Sequence, residues 1–207
     1  MSDFSKIYLY RMTHIDNVAH ILKNGITHRS SRNANDSYKN IGDNSIIRRR
    51  DNFQLNNGKM IGDYIPFYFG GRMPMLYVMQ KGFNSVDIVK PENIVYIVSS
   101  VQKIIDLHLN FIFTDGHAID SFSTQYSKDD IYNIDKWLDY TAIKSQYWRD
   151  EQDLDLKRRK EAEFLVLGDI DISGILGFLV YNKYAYDKMI NFGLPERQVK
   201  IKDTLYF

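Results

Sequence analysis

Glu161-Ala162-Glu163 sets two carboxylates one residue apart, immediately ahead of the apolar run Phe164-Leu165-Val166. Side chains alternate along a strand, so this spacing predicts that both acids project from one face of it. A carboxylate so placed can stabilise an oxocarbenium-like transition state, or hold a ribose hydroxyl while positive charge develops at the anomeric carbon. The plainer expectation is a pair of solvated acids, because charged residues at strand ends are ordinarily exposed. Arg48-Arg49-Arg50 follows Ile41-Gly42-Asp43-Asn44-Ser45, and guanidinium groups can grip a diphosphate through paired hydrogen bonds. Here too a solvated basic face is the plainer expectation, and spacing by itself leaves both readings open.

Other chemistries are narrowed by what the sequence lacks. Cys is absent, which removes disulfides, thiolate nucleophiles and Cys-based zinc sites. The five histidines, His14, His20, His28, His108 and His117, show no zinc-site spacing, so no metal is expected. His117, in Phe113-Thr114-Asp115-Gly116-His117, stands alone after an apolar run. Neither a Gly-rich phosphate loop nor a Gly-x-Ser-x-Gly elbow is present. A net charge of +1 gives no compositional case for a nucleic-acid binder, although the runs Arg48–Arg50 and Lys157-Arg158-Arg159-Lys160 leave local basic patches open. The 15 Tyr and 12 Phe suit base stacking, but an aromatic core explains them first.

The elements that must position these residues follow from periodicity. Ile7-Tyr8-Leu9-Tyr10 reads as a short strand, and Ile15, Val18, Ala19 and Leu22 recur at helical spacing up to a capping Gly25. Residues 27–40 are polar and read as a mobile loop of the kind that closes over ligands. A second irregular stretch, 51–62, holds the turn signal Asn56-Asn57-Gly58. The aromatic segment 64–69 reads as a strand, and Pro66 predicts an edge position for it. Residues 93–99 form a β-branched, buried strand, 101–107 a short helix and 111–114 another strand. The long polar stretch 115–160 carries one helix near 131–138. Strands at 163–166, 175–181 and 199–201 and a helix at 184–191 complete the set in an α+β arrangement. With 207 residues and 44% apolar content, a single domain spanning 1–207 is expected. No 18-residue apolar stretch occurs, and Met1-Ser2-Asp3-Phe4-Ser5-Lys6 lacks a secretory pattern, so a soluble cytoplasmic protein with no membrane association is expected.

Four segments, in order, resemble the DarT family of DNA ADP-ribosyltransferase toxins. They are Tyr10-Arg11-Met12-Thr13-His14-Ile15-Asp16-Asn17 with the later Ile21-Leu22-Lys23-Asn24-Gly25; Asp63-Tyr64-Ile65-Pro66-Phe67-Tyr68-Phe69-Gly70-Gly71-Arg72-Met73-Pro74-Met75-Leu76-Tyr77; Phe111-Ile112-Phe113-Thr114-Asp115-Gly116-His117-Ala118; and Glu161-Ala162-Glu163-Phe164-Leu165-Val166. The second is the most specific. The resemblance implies an ADP-ribosyltransferase fold, α+β with a split β-sheet core, flanking helices and a lid loop over an NAD cleft. It implies NAD as co-substrate, Glu163 and Arg50 as catalytic residues, and Arg49 as the alternative register for the arginine. Arg11, Met12 and Thr13 match an NAD-binding turn after the first strand, and His28 falls in the same NAD-binding group. Tyr68, Arg72, Met75, His117 and Lys157 are placed against DNA. The expected acceptor is a base of single-stranded DNA, thymine before guanine, and the expected partner is a DarG-like macrodomain antitoxin. Arg11 stands where the family often has His, Gly71-Arg72-Met73-Pro74-Met75 where Pro-Arg-Ser-Pro-Met is common, and Glu161 where Gln is frequent. The Glu-x-Glu pair is similar to that of arginine-specific protein ADP-ribosyltransferases, which makes protein arginine the alternative acceptor. An inactive nucleic-acid-binding module of the same fold is the remaining alternative.

Overall fold

The computed structural model describes residues 3–207; Met1 and Ser2, which begin the segment read for a secretory pattern, lie outside it. In chain order the elements are β1 (Tyr8–His14), α1 (Val18–Asn24), α2 (Asn44–Asp51), β2 (Tyr64–Tyr68), α3 (Pro74–Lys81), β3 (Ile94–Ser100), α4 (Val101–Asp106) and β4 (Asn110–Thr114). There follow β5 (Gln125–Ser127), α5 (Ile134–Trp137), α6 (Tyr140–Lys144), α7 (Leu156–Lys160), β6 (Glu163–Leu167), β7 (Gly177–Val180), α8 (Lys183–Asn191) and β8 (Val199–Ile201). All eight strands join one sheet in the order β5-β4-β6-β2-β1-β3-β7-β8. One strand, β5, forms beyond those the sequence pattern predicts.

Each strand sorts its side chains onto two faces by simple alternation. Leu9, Ile65, Phe67, Val95, Ile97, Phe164 and Val166 pack on one face with Val18 and Ile21 of α1, Ile104 of α4, Ile134 of α5 and Met189 of α8. Tyr96 and Ile94 face the other way, against Leu76 and Met79 of α3, while Leu165 and Ile112 join Leu55 and Ile61 there. β3 is buried along its whole length, as its β-branched run requires. Glu163 shares the parity of Leu165, and Tyr68 lies opposite it in the ladder, so both belong to the α3 face.

The sheet is split near its middle. β1 pairs with β3 through seven residues and β2 with β6 through five, but β1 and β2 meet only where Tyr10 lies opposite Tyr68. This corrects the edge position expected for Pro66. β2 is interior, and Pro66 is tolerated because its missing N–H faces the opening, where its carbonyl accepts from Arg11 Nη1 at 3.0 Å instead of from a strand. A second correction concerns Arg11, Met12 and Thr13, which continue β1 opposite Ile97, Tyr96 and Val95 rather than forming a turn after it.

Residues 27–43 carry turns and bends only, yet both ends are fastened. Gly25 caps α1 at φ 76, where a Cβ would fall 2.2 Å from the Ile170 carbonyl oxygen, and Ile26 then bridges Ile170. At the far end the Asn17 amide accepts from Lys39 N (2.8 Å) and donates to Lys39 O (2.9 Å). The 115–160 stretch contains β5, α5, α6 and α7, of which only the α5 region carries a readable helical pattern.

Candidate active site

The split opens into a cavity of about 550 Å³ lined by β1, β2, α2, α3 and the 27–43 stretch, with Glu163 in its wall. That volume is in the usual range for small-molecule sites. Glu163, the first residue of β6, is fully buried, contrary to the solvated strand-end acid that spacing alone suggests. Its backbone N–H donates to Thr114 Oγ1 at 3.2 Å, anchoring the strand start to the end of β4. Its carboxylate is held from two sides: Ala118 N donates to Oε1 at 2.9 Å and Arg50 Nη1 to Oε2 at 2.8 Å. Breaking one partner of such a buried pair typically costs about 3–5 kcal/mol.

Arg50 reaches Glu163 from the last turn of α2. Asp43 caps that helix, accepting from Ser45 N at 2.7 Å and Ile46 N at 3.4 Å. The three arginines then diverge with the helical turn: Arg48 and Arg49 are exposed, while Arg50 turns inward with its side chain 12% exposed. Arg50 Nη2 is buried and has no hydrogen-bond partner among the described residues. A donor aimed into a cavity without a protein acceptor suits an anionic or carbonyl ligand.

His117 Nε2 lies 3.9 Å from Glu163 Oε1. Burial lowers the imidazole pKa, with Glu163 opposing, so His117 is neutral near pH 7. The Tyr68 phenol is raised, by burial first and then by Glu163 and Glu161, and stays protonated as a donor beside the carboxylate. Arg11, Met12, Thr13, His28, Tyr68, Met75 and His117 join Arg50 and Glu163 on the cavity lining. His28 is fixed through Nε2 to Gly62 O at 2.8 Å, and its N–H donates to Asp169 at 2.7 Å.

Three expected site residues do not line this cavity. Arg49 and Lys157 are exposed and off the cavity lining. Arg72 Nη1 donates to Tyr206 O at 2.7 Å, and its guanidinium stacks 4.3 Å above the Phe207 ring, so it braces the C-terminal segment. Nor is the Lys157–Lys160 run a basic patch. Arg158 pairs with Asp115 (3.0 Å) and Asp155 (2.6 Å), Arg159 with Asp139, Asp153 and Asp155, and Lys160 is buried.

Glu161 also departs from expectation. It caps the C-terminus of α7 at φ −87, ψ 23, outside the strand, so the alternation that would set it beside Glu163 on one strand face does not apply. It is 8% exposed, and burial lifts its carboxyl to about 7, against the pull of Lys157.

The fold that carries this site has counterparts. The model of the family described as "DarT: ssDNA thymidine ADP-ribosyltransferase" matches residues 10–207. The chain belongs to the DarT family. A DarT relative, the DNA ADP-ribosyl transferase of Thermus sp. (strain 2.9), is 34% identical over 186 residues, covering 88% of this chain and 85% of that protein. A Thermosipho africanus DNA ADP-ribosyl transferase–DNA ADP-ribosyl glycohydrolase fusion protein is 30% identical over 95% of this chain and 52% of its own length. The Thermus sp. 2.9 DarT solved in complex with ADP-ribosylated single-stranded DNA superposes with a TM-score of 0.83 at 28% identity, covering 97% of this chain and 96% of that one. The same Thermus protein in complex with NAD+ gives 0.78 at 26% identity, covering 100% and 99%. The split sheet with flanking helices is thus the DarT ADP-ribosyltransferase fold.

Sequence reasoning missed several parts of this DarT site. Asn17 is 1% exposed and donates to Thr13 Oγ1 at 3.0 Å, joining the cavity-lining strand to the 27–43 stretch; a polar residue in an apolar helical repeat was its available signal. Asp43 was readable as a helix cap. Ala118 acts through its backbone N–H and leaves no trace in side-chain type. Among the described residues no three His, Asp or Glu side chains gather as a metal site, and no helix is long and apolar enough to cross a membrane.

Proposed function

We propose that this chain cleaves NAD and transfers its ADP-ribose to a base of single-stranded DNA, thymine in preference to guanine. The supporting observation is the fully buried Glu163 carboxylate at the sheet split, fixed by Arg50 and the Ala118 N–H. The substrate supplies a glycosidic bond to nicotinamide whose rupture leaves positive charge on the ribose. Glu163 stabilises that charge from a pre-organised, low-dielectric position, and accepts a hydrogen bond from a ribose hydroxyl. Arg50 orients Glu163 through Nη1 and presents Nη2 to the diphosphate or to the incoming base. A guanidinium gives up its proton reluctantly, which makes its role electrostatic. Arg11, Met12, Thr13, His28, Tyr68, Met75 and His117 line one cavity; in this reading the first four face NAD and the last three the acceptor. A base in a single strand is reached without the cost of opening a duplex.

The Thermosipho relative joins a DNA ADP-ribosyl transferase to a DNA ADP-ribosyl glycohydrolase in one chain. That pairing supports a toxin role for this chain, with a DarG-like macrodomain antitoxin as its partner. Incubation with NAD and single-stranded oligonucleotides of varied sequence, followed by mass spectrometry, tests the reading. One ADP-ribose added to thymine-containing strands is expected. Unmodified strands alongside labelled protein would transfer the reaction to arginine, and DNA retention with no nicotinamide release would leave only a binding module.

A further inference from the structure

Lys160 is fully buried and has no carboxylate within ion-pairing distance among the described residues. Its Nζ donates instead to two backbone carbonyls, Ile143 O at 3.2 Å and Ser145 O at 2.5 Å. These belong to the last turn and cap of α6, where helix carbonyls lack intrahelical partners. Burial lowers the ammonium to about 8, with Glu161 opposing and Arg72 adding to the effect. An ammonium kept in so costly a place is explained by the two bonds it makes, since a methionine would fill the same space without the desolvation cost.

Those bonds fall where three segments meet. A Cβ on Gly70 would stand 2.9 Å from both Ile143 O and Ile143 Cγ2, so the chain leaving β2 after Tyr68 runs against the same carbonyl that Lys160 holds. That chain continues into the 71–73 turn and Met75. On the other side Ser145 leads to Trp148, whose ring lies 5.7 Å from Tyr77 and 5.6 Å from Phe207. Lys160 itself is three residues ahead of Glu163.

We infer that Lys160 is a positioning residue for the acceptor side of the site: its ammonium clamps the end of α6, and with it the 69–73 turn, to the entry of the catalytic strand. The inference rests on the DNA acceptor reading for its functional consequence, but the clamp itself can be measured without it. The clamp acts on the wall that carries Tyr68 and Met75 and not on the NAD side, which is built from β1, α2 and the 27–43 stretch.

Two variants test this. Lys160→Met keeps the bulk and removes the donors. Lys160→Cys introduces the sole thiol of a chain that has none; alkylated while unfolded with 2-bromoethylamine it regains an amine, and alkylated with iodoethane it does not. For Lys160→Met we expect the oligonucleotide KM to rise about tenfold, with kcat and DNA-independent nicotinamide release changed less than about twofold. Hydrogen exchange should quicken in 69–73 and 144–149 but not in β1. The aminoethylated protein should recover the native KM and exchange pattern, and the ethylated one should not. Unchanged KM and exchange, NAD cleavage falling in step with transfer, or equal behaviour of the two alkylated forms would each overturn the inference. If Lys160→Met fails to fold, the alkylated pair decides alone. A wild-type protein inactive on every oligonucleotide would reject the DNA reading, while the exchange rates would still decide the clamp.

Discussion

Residues 27–43 and residues 115–160 both border the cavity as long polar connections, but the first is fastened by side chains that clasp its backbone and the second by consecutive cations. The Asn17 amide grips Lys39 N and O, and Asp169 takes His28 N and Ser31 Oγ (2.5 Å). The ion pairs in this stretch, Arg29–Asp51 and Lys39–Asp16, involve cations 58% exposed and contribute little. In the second stretch Arg158, Arg159 and Lys160 point in three directions and tie down Asp115, Asp139 and the α6 carbonyls respectively. In the proposed reading the NAD side is therefore organised by a buried amide next to β1, and the acceptor side by charges on the turn of helix that precedes Glu163. Perturbing one should leave the other's substrate largely unaffected.

A large effect is expected where the two sides meet. Arg50→Ala removes the Glu163 partner and the inward-facing Nη2 together, and should lower kcat by about 100-fold or more. Arg48→Ala, on the exposed side of α2, should change it less than about threefold. Steady-state transfer assays on both variants check this, and the reverse ranking would remove Arg50 from the catalytic role. Asn17→Ala should act on one side only, raising the KM for NAD about tenfold while the oligonucleotide KM stays near native. Equal rises in both constants would erase the distinction between the two sides.

The smallest expected effect concerns Glu161. Burial lifts its folded-state carboxyl from 4.5 to about 7, so the folded protein retains a proton that the unfolded chain releases. The stability linked to that proton is complete below about pH 4.5 and is lost as pH rises through about 7. Glu161→Gln should thus raise Tm by a few degrees more at pH 8 than at pH 4 in thermal denaturation. An equal change at both pH values would show that Glu161 carries no such linkage.

The sequence discloses the fold where one physical signal dominates. The β-branched run of β3, the Gly25 cap and the apolar repeats of α1 and α8 form as their patterns predict. It conceals the elements whose reasons are tertiary. α2 buries none of its residues, so it has no apolar stripe to read, and α6 and α7 are five residues each, too short for periodicity to register. Pro66 misleads because an interior strand can lack a neighbour locally when the sheet splits. Within the site, Glu163 and Arg50 come together from 113 positions apart. Residue type made each a candidate, but only the resemblance selected them from other acids and arginines. Arg72, basic and near the cleft in sequence, serves the C-terminal segment, a contact that no local pattern encodes.

The most direct test of Glu163 as the catalytic carboxylate is to measure NAD affinity and ADP-ribose transfer to a thymine-containing strand on the same preparation of Glu163→Gln. The amide keeps the shape and an acceptor for the Ala118 N–H but loses the charge. The expected result is a cooperatively folded protein with a lowered Tm, as loss of a buried ion pair requires, NAD affinity within about threefold of wild type and transfer reduced at least about 1,000-fold. Transfer within tenfold of wild type, with NAD still bound, would contradict it and return Glu163 to the status of a structural ion-pair partner of Arg50.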